Sequence, residues 1–406
     1  MSIEADLLNA IHAAPLDDSP RLIYADFLAD RGDPASLARA EFIRIQLALA
    51  RLPPDHPRAG PLLARQADLL QQYHAAWTAP LRGLVAGVEF RRGILDTVSV
   101  DAEQFLKSGH ELFRQMPIRK VRILNGSRIL ERIARSHLLE SIVELDLAGT
   151  ELGNGGLNIL LRSTYLSGVE SLDLGFNGLD DRAAIMLAES QALPVLNVLS
   201  LSDNRLTGEG VRVLAESAWF PRLRWLDLTA NAMTDTGIRA IVSRSGLNLH
   251  GLRFTLNPVG DQGFVALTAS SLFTRLMERE PRLEMRRTGL TSRSCSILAS
   301  EKRFEGITHL DLSENEIDSA GVKLLASASF PRLRHLSLRG NRIDDEGGIA
   351  LARSPLMKTV SSFDLANNNL TQVAVDELLS ARRTPQAVVE LSGNFLGPGK
   401  RSSIID

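Results

Sequence analysis

From about residue 142 to residue 394 one arrangement of apolar and polar positions recurs, Leu-x-x-Leu-x-Leu-x-x-Asn, with Val, Ile or Phe at times in place of Leu. Clear copies are Val169/Leu172/Leu174/Asn177, Leu196/Leu199/Leu201/Asn204, Leu223/Leu226/Leu228/Asn231, Leu249/Leu252/Phe254/Asn257, Ile307/Leu310/Leu312/Asn315, Leu333/Leu336/Leu338/Asn341 and Val360/Phe363/Leu365/Asn368. Thr takes the Asn place at Thr150 and Thr288, and a last copy ends at Asn394. The alternation around the second and third apolar positions predicts a short strand with one face inward. A second apolar set follows each Asn at two, six and ten residues, as in Leu206/Gly210/Leu214 and Ile317/Gly321/Leu325. Spacing of four predicts a helix whose narrow face packs inward. Each unit is therefore strand, turn, helix and return. Successive units are 26 or 27 residues apart except at Asn257 to Thr288, a 31-residue step. Its extra residues, around Ser270 to Glu280, predict a longer helix or loop on the outer side.

This repeat resembles the ribonuclease-inhibitor type of leucine-rich repeat, in which a short parallel strand alternates with a full helix. The resemblance implies an α/β fold, a right-handed horseshoe solenoid with the parallel sheet inside and the helices outside, over residues 141–396. The physics agrees, because one unit cannot bury its Leu face alone and stacking joins those faces into one core. The ladder of Asn177, Asn204, Asn231, Asn257, Asn315, Asn341, Asn368 and Asn394 is expected to be structural, each amide bonding backbone groups of its own and neighbouring coils.

The preceding part has another character. Residues 1–80 read as four short helices with breaks at Pro15, Pro34 and the cluster Pro53, Pro54, Pro57 and Pro61, with Ser19-Pro20 as N-cap and first-turn proline of the second helix. Leu8-Asn9-Ala10-Ile11, Asp17 to Leu28, Arg31-Gly32-Asp33-Pro34 and Ala40 to Leu47 resemble the bacterial repeat-companion domain, which sits ahead of repeat arrays; the Trp usual after Ala-Asp is Phe27 here. Within it Arg21, Tyr24, Asp26, Asp33, Glu41 and Arg44 form a polar set, read as structural, with Asp26 and Glu41 pairing with Arg21 or Arg44. Residues 81–140 read as a hairpin around Arg92-Gly93 followed by a degenerate first repeat at Ile118, Val121 and Ile123, together an N-terminal cap. Residues 397–406 read as a flexible tail.

Composition narrows the function. The formal net charge of -2 lacks the basic excess of a nucleic-acid binder. A single cysteine, Cys295, excludes intramolecular disulfides and Cys-cluster metal sites; its helical position suggests a buried, inert thiol. The acidic start of the chain and the lack of any long apolar run give a cytoplasmic, non-membrane expectation. His-Glu-x-x-His, Gly-x-Ser-x-Gly and Cys-x-x-Cys are absent, and Gly397-Pro398-Gly399-Lys400 lacks the remainder of a phosphate loop. No catalytic residue, cofactor or metal is assigned, and the protein is expected not to be an enzyme.

What is left is the exposed side of the strands. A stretch carrying Trp225, Asp227, Arg253, Arg282, Arg286, His309, Asp311, His335, Arg339 and Asp364 offers aromatic and guanidinium anchors of the kind that dominate interface energetics. His309, Asp311 and His335 fall close enough to raise the idea of a metal, but no further group that would orient these ligands is evident and no metal is assigned. The expected function is non-enzymatic binding of a protein partner on the concave face by a monomer. The alternative is regulation of an enzyme, as ribonuclease inhibitors and some GTPase activators do with similar repeats.

Overall fold

A computed structural model describes residues 3–14, 17–52, 58–115, 118–381 and 388–395. The proline breaks at Pro15, Pro53, Pro54 and Pro57 and the tail at 397–406 lie outside the described residues. The chain divides into two compact units, Met1–Leu174 with Gln191–Leu196, and Gly175–Ser190 with Asn197–Asp406.

The first unit begins with four helices, α1 (Ile3–Ala13), α2 (Ser19–Asp30), α3 (Pro34–Arg51) and α4 (Ala59–Trp77). Ile11, Ala25, Leu28, Ile43 and Leu47 make one buried cluster, and Phe42, Ile45 and Leu69 make another against Tyr73, Trp77 and Phe90. Ser19 is the first residue of α2 and Asp18 its cap, one position earlier than the sequence suggests; Asp17 accepts from the Ser19 N–H and hydroxyl. Asp33 caps α3 by accepting from the Ser36 N–H. Arg44 pairs with Asp26 at 2.6 Å as expected, but Glu41 pairs with Arg65 and Arg21 donates to the Asp17 carbonyl. The expected partner of Glu41 is thus corrected: α4 supplies a bidentate guanidinium that neither Arg21 nor Arg44 provides.

Strands β1 (Gly87–Arg91) and β2 (Ile94–Asp101) form the expected antiparallel hairpin. Its turn needs two left-handed residues, Arg92 at φ 49° and Gly93 at φ 80°. Gly93 also meets the α3 backbone so closely that a Cβ would lie 2.4 Å from the Ile43 Cα. From β2 onward the pairing is parallel, through α5 (Ala102–Gln115), β3 (Lys120–Leu124), α6 (Leu130–Ala134), β4 (Glu144–Asp146), α7 (Gly153–Leu160) and β5 (Ser171–Asp173). Helix α5, for which the repeat pattern offers no template, is the first crossover.

The second unit continues the alternation: α8 (Asp181–Glu189), β6 (Val198–Ser200), α9 (Gly208–Glu216), β7 (Trp225–Asp227), α10 (Asp235–Ser243), β8 (Gly251–Arg253), α11 (Gly260–Thr268), α12 (Ser271–Arg279), β9 (Arg282–Glu284), α13 (Ser292–Ser300), β10 (His309–Asp311), α14 (Ser319–Ser327), β11 (His335–Ser337), α15 (Asp345–Ala352), α16 (Leu356–Thr359), β12 (Ser362–Asp364), α17 (Gln372–Ala381) and β13 (Val388–Glu390). The extra residues of the long step build α12. The paired strands are parallel and aligned residue for residue, so Leu310, Leu336, Phe363 and Val389 stack in one buried column and Met285, Leu312, Leu338, Leu365 and Leu391 in the next. Small residues let neighbouring helices approach: a Cβ on Gly210 would lie 2.1 Å from the Asp181 carboxylate.

Two polar ladders hold the coils together. Asn315 donates to the Leu312 and Ser313 carbonyls of its own turn and to Met285 O of the preceding coil, while its carbonyl accepts from the Thr288 and Leu290 N–H groups. Asn231, Asn257, Asn341 and Asn368 donate likewise and accept from one N–H of the preceding coil, Asn394 from two, Asn204 accepts from the Asn177 and Leu179 N–H groups, and Asn177 donates to Gly175 O. The residue before each rung is left-handed, including Phe176, Asp203, Ala230, Leu256, Arg287, Glu314 and Asn367 at φ between 49° and 61°. The second ladder joins helix starts. Asp181 accepts from the Thr207 N–H and hydroxyl, Asp261 from Thr291 and Ser294, and Asp345 from Thr371; elsewhere the roles reverse, Ser292 donating to Asp318 and Ser319 to Asp344.

Candidate functional site

The sequence-derived patch resolves into three local groups on the open face of the strands. The first centres on Trp225. Its partner in register on β8 is Gly251, where a Cβ would lie only 2.0 Å from the indole. The ring therefore lies across the neighbouring strand, half-buried rather than freely exposed as the sequence suggested, with the Arg253 guanidinium 5.3 Å from its centroid.

Beside this group the strand pairing stops. Within the second unit β6 to β8 form one run and β9 to β13 another, with no hydrogen-bonded register between β8 and β9. At the starts of β8 and β11, Gly251 and His335 donate back to Arg224 O and Thr308 O of the preceding coil, whereas Arg282 donates to Glu280 O within its own turn, at 2.7 Å. Pro281, just before β9, has no N–H to give to the preceding coil where His250 and Arg334 give theirs, and α12 lies immediately ahead of it. Pairing resumes further on, at Leu256 N–H to Arg286 O and Gly260 N–H to Thr288 O. The gap is a cleft of about 110 Å³ with an apolar floor that includes Leu252, Phe273, Leu276 and Met277 and a polar rim of Trp225, Arg253, Arg282 and Glu284. Leu252 is half-buried, while its counterparts Leu226, Leu310 and Leu336 are buried.

Arg286 forms the second group, an ion pair with Glu314 at 2.5 Å. The third is His309 and His335, whose rings stack at 4.3 Å and 14°; Thr308 Oγ1 lies 2.9 Å from His309 Nδ1. No set of three or more His, Cys, Asp or Glu among the described residues is placed to hold a metal ion.

The acidic column has local work. Asp227, Asp311 and Asp364 each accept from the N–H two residues on, at Thr229, Ser313 and Ala366. Burial pushes the Asp364 carboxyl above its ordinary range, against the N–H bond and the Arg339 charge. Outside this face, Cys295 is buried, and that burial raises its thiol to about 12. The companion-type polar residues do not converge on one point, since Tyr24 bonds Glu4 and the others pair as described above. The sheet break is what sequence reasoning missed; its signals were the 31-residue step and Pro281, which has no N–H to give.

The fold is an α/β leucine-rich-repeat solenoid. Leucine-rich repeats are matched in this chain at residues 169–188, 192–215, 307–326 and 332–352. Among solved structures it is similar to an internalin from Listeria monocytogenes, at 16% identity and TM-score 0.41, covering 79% of this chain and 88% of that one. A TDR receptor is similar at 14% identity and TM-score 0.34, over 66% and 48%, and a mouse RP105/MD-1 complex at 18% and 0.39, over 73% and 45%. This chain thus spans about half the length of the latter two. A search of curated proteins finds no match. No helix among the described residues is long and apolar enough to cross a membrane.

Proposed function

We propose that the chain is a non-enzymatic protein-interaction module whose repeats, of ribonuclease-inhibitor type, bind a protein partner on the concave strand face, and that residues 1–80 are a repeat-companion domain. In this reading it works in the cytoplasm as a monomer. The supporting observation is the sheet break between β8 and β9. An apolar cleft opens there on the strand face, flanked by a seated indole and two guanidinium groups. A partner would insert one apolar side chain between β8 and β9 and set an acidic group against Arg253 and Arg282. Anchors of this kind carry most of an interface's energy. The fixed strand backbone lowers the ordering cost of binding.

The enzyme-regulator alternative needs a side chain reaching from this face into a partner's catalytic centre. The basic groups here instead lie along the sheet, Arg253 over Trp225 and Arg286 on Glu314, which favours binding alone. The test is quantitative affinity capture from extract of the source cells by the full chain, by a Trp225→Ala/Arg253→Ala variant, and by Leu276→Trp, which fills the cleft. Both variants should lose a shared set of captured proteins while keeping the parent's circular dichroism. Undiminished capture by both refutes the strand-face reading.

A further inference from the structure

A buried charge without a carboxylate partner among the described residues lies far from the strand face in sequence, on α3. Arg39 is buried, and its guanidinium carbon sits 4.2 Å from the Phe90 ring centroid, 4.8 Å from Trp77 and 5.5 Å from Phe42. Those aromatic faces take up the plane of the group. They leave its N–H edges to be satisfied in another way, because π faces are poor substitutes for in-plane acceptors. No carboxylate among the described residues pairs with Arg39, and its Nη1 atom, shielded from solvent, has no hydrogen-bond partner. Burial pushes the guanidinium down to about 10, so it stays charged at neutral pH. An ion buried in this way ordinarily has a counter-charge.

Arg39 lines a cleft of about 610 Å³ between α1, α2, α3, α4 and α5, a volume within the usual span of small-molecule sites. Arg31 and Arg114 also line it, but Arg31 is paired with Glu4 and Arg114 with Glu111, which leaves Arg39 as the lining cation with no carboxylate among the described residues. Glu4 is committed elsewhere, accepting from the Tyr24 hydroxyl at 2.9 Å and from Arg31 at 2.7 Å. Leu8, Leu28 and Phe113 supply apolar wall beside the charged end.

We propose that this cleft is a binding site for a small organic oxyanion, a carboxylate or phosphate whose oxygens accept from Arg39 while its apolar part lies against Leu8 and Phe113. Guanidinium groups match both oxyanions in geometry and form their strongest hydrogen bonds with them. The site stands apart from the strand-face reading and does not depend on it.

The test uses the full chain, isothermal titration calorimetry and thermal melting, with benzoate and inorganic phosphate as probes and sodium chloride at matched ionic strength. At least one probe should bind saturably and raise the melting temperature; preference for benzoate identifies a carboxylate ligand, and preference for phosphate a phosphorylated one. Arg39→Met should weaken that binding by about 10- to 100-fold, the loss expected for a charged hydrogen bond. Ser36→Phe, which obstructs the cleft and leaves the aromatic box alone, should abolish binding with unchanged melting. Without a probe, Arg39→Met should melt no lower than the parent, since it removes an uncompensated buried charge. A marked drop in that melting temperature, or failure of the variant to fold, would show that Arg39 is a structural anchor of the aromatic cluster and overturn the proposal. Equal binding by parent and Arg39→Met, or no saturable binding of either probe, would overturn it too.

Discussion

Replacing Asn315 by Leu nearly preserves side-chain shape and removes every bond of one ladder rung. Five backbone groups lose a bond, but Met285 O keeps the Thr288 hydroxyl, Leu312 O keeps Asn341 and Ser313 O keeps the Arg287 N–H, so the N–H groups of Thr288 and Leu290 are the two left stranded. At about 2 kcal/mol for each stranded N–H, the loss is about 4 kcal/mol. Burial of the Leu side chain returns about 2 kcal/mol. The expected net destabilisation is about 2 kcal/mol. Thr288→Val is the internal comparison. The Thr288 hydroxyl makes a single bond, to Met285 O at 2.8 Å, and that carbonyl keeps its bond from Asn315. Its loss should cost about 1 kcal/mol or less. Urea unfolding followed by far-ultraviolet circular dichroism would measure both, with the slopes compared to confirm equal exposure of surface. If Asn315→Leu unfolds within about 1 kcal/mol of the parent, or no lower than Thr288→Val, the ladder is not what satisfies these turns.

Ser292→Asp would set a second carboxylate against Asp318, now bonded at 2.5 Å, and should destabilise by about 1–2 kcal/mol; Asp318→Thr in the same chain should restore the loss by recreating the Asp–Thr pairing seen at Asp181 and Asp345. Restoration absent in a double-mutant cycle counts against donor–acceptor matching. Acid should also unfold the repeats. Burial raises Asp261, but bonds from Ser294 and Thr291 outweigh it and hold the carboxyl below its ordinary range, and bonds from Ser292 and Ser319 hold Asp318 and Asp344 low. With folded values below the unfolded one, their contribution is complete above about pH 4 and disappears as pH falls through the folded values, so urea midpoints should drop from pH 5 to pH 3, less steeply in Asp318→Asn. Ala230→Gly relieves a left-handed residue at φ 53° and should stabilise by up to about 1 kcal/mol, whereas a melting point below the parent would deny strain there. Cys295 should resist a thiol reagent in the native state and react on unfolding; prompt native reaction would contradict its burial.

The Leu and Asn columns were legible because a fixed period forces each unit to present the same face to the next, and Leu310, Leu336 and Asn341 could be aligned by counting alone. The same counting located α12, yet not its effect on β9. Pro281 lacks the N–H that His250 and Arg334 give to the preceding coil, and Arg282 bonds Glu280 O instead, a change that spacing along the chain does not show. Trp225 was legible as an anchor but not as a half-buried one, because its seat depends on Gly251 in the neighbouring coil. Glu41 was assigned to α2 or its own helix, when Arg65 on α4 was the better placed cation. Arg39 escaped notice entirely. In sequence it is one Arg among many, and only the three rings brought around it from α3, α4 and β1 mark it out.

The left-handed residues show how the repeat tolerates variation. Phe176, Ala230, Leu256, Arg287 and Glu314 share no chemistry, whereas Gly149, Gly340, Gly393, Asn367 and Asp203 occupy that place with a residue that tolerates it. A turn that imposes the same φ on such different side chains must be held from outside, and the Asn rung that follows each non-glycine example, or Thr288 after Arg287, supplies that hold. The helix-start ladder extends the logic between coils. At Asp181, Asp261 and Asp345, in the first turns of α8, α11 and α15, the partner in the next coil is Thr, and at Ser292 and Ser319, which open α13 and α14, it is Asp; Asp235, which opens α10, is followed instead by Val259. At each of those five pairings one donor meets one acceptor, so the coils concerned are matched to their neighbours by hydrogen-bond sign as well as by the leucine column, and moving one of them elsewhere in the stack would keep the column while breaking the match.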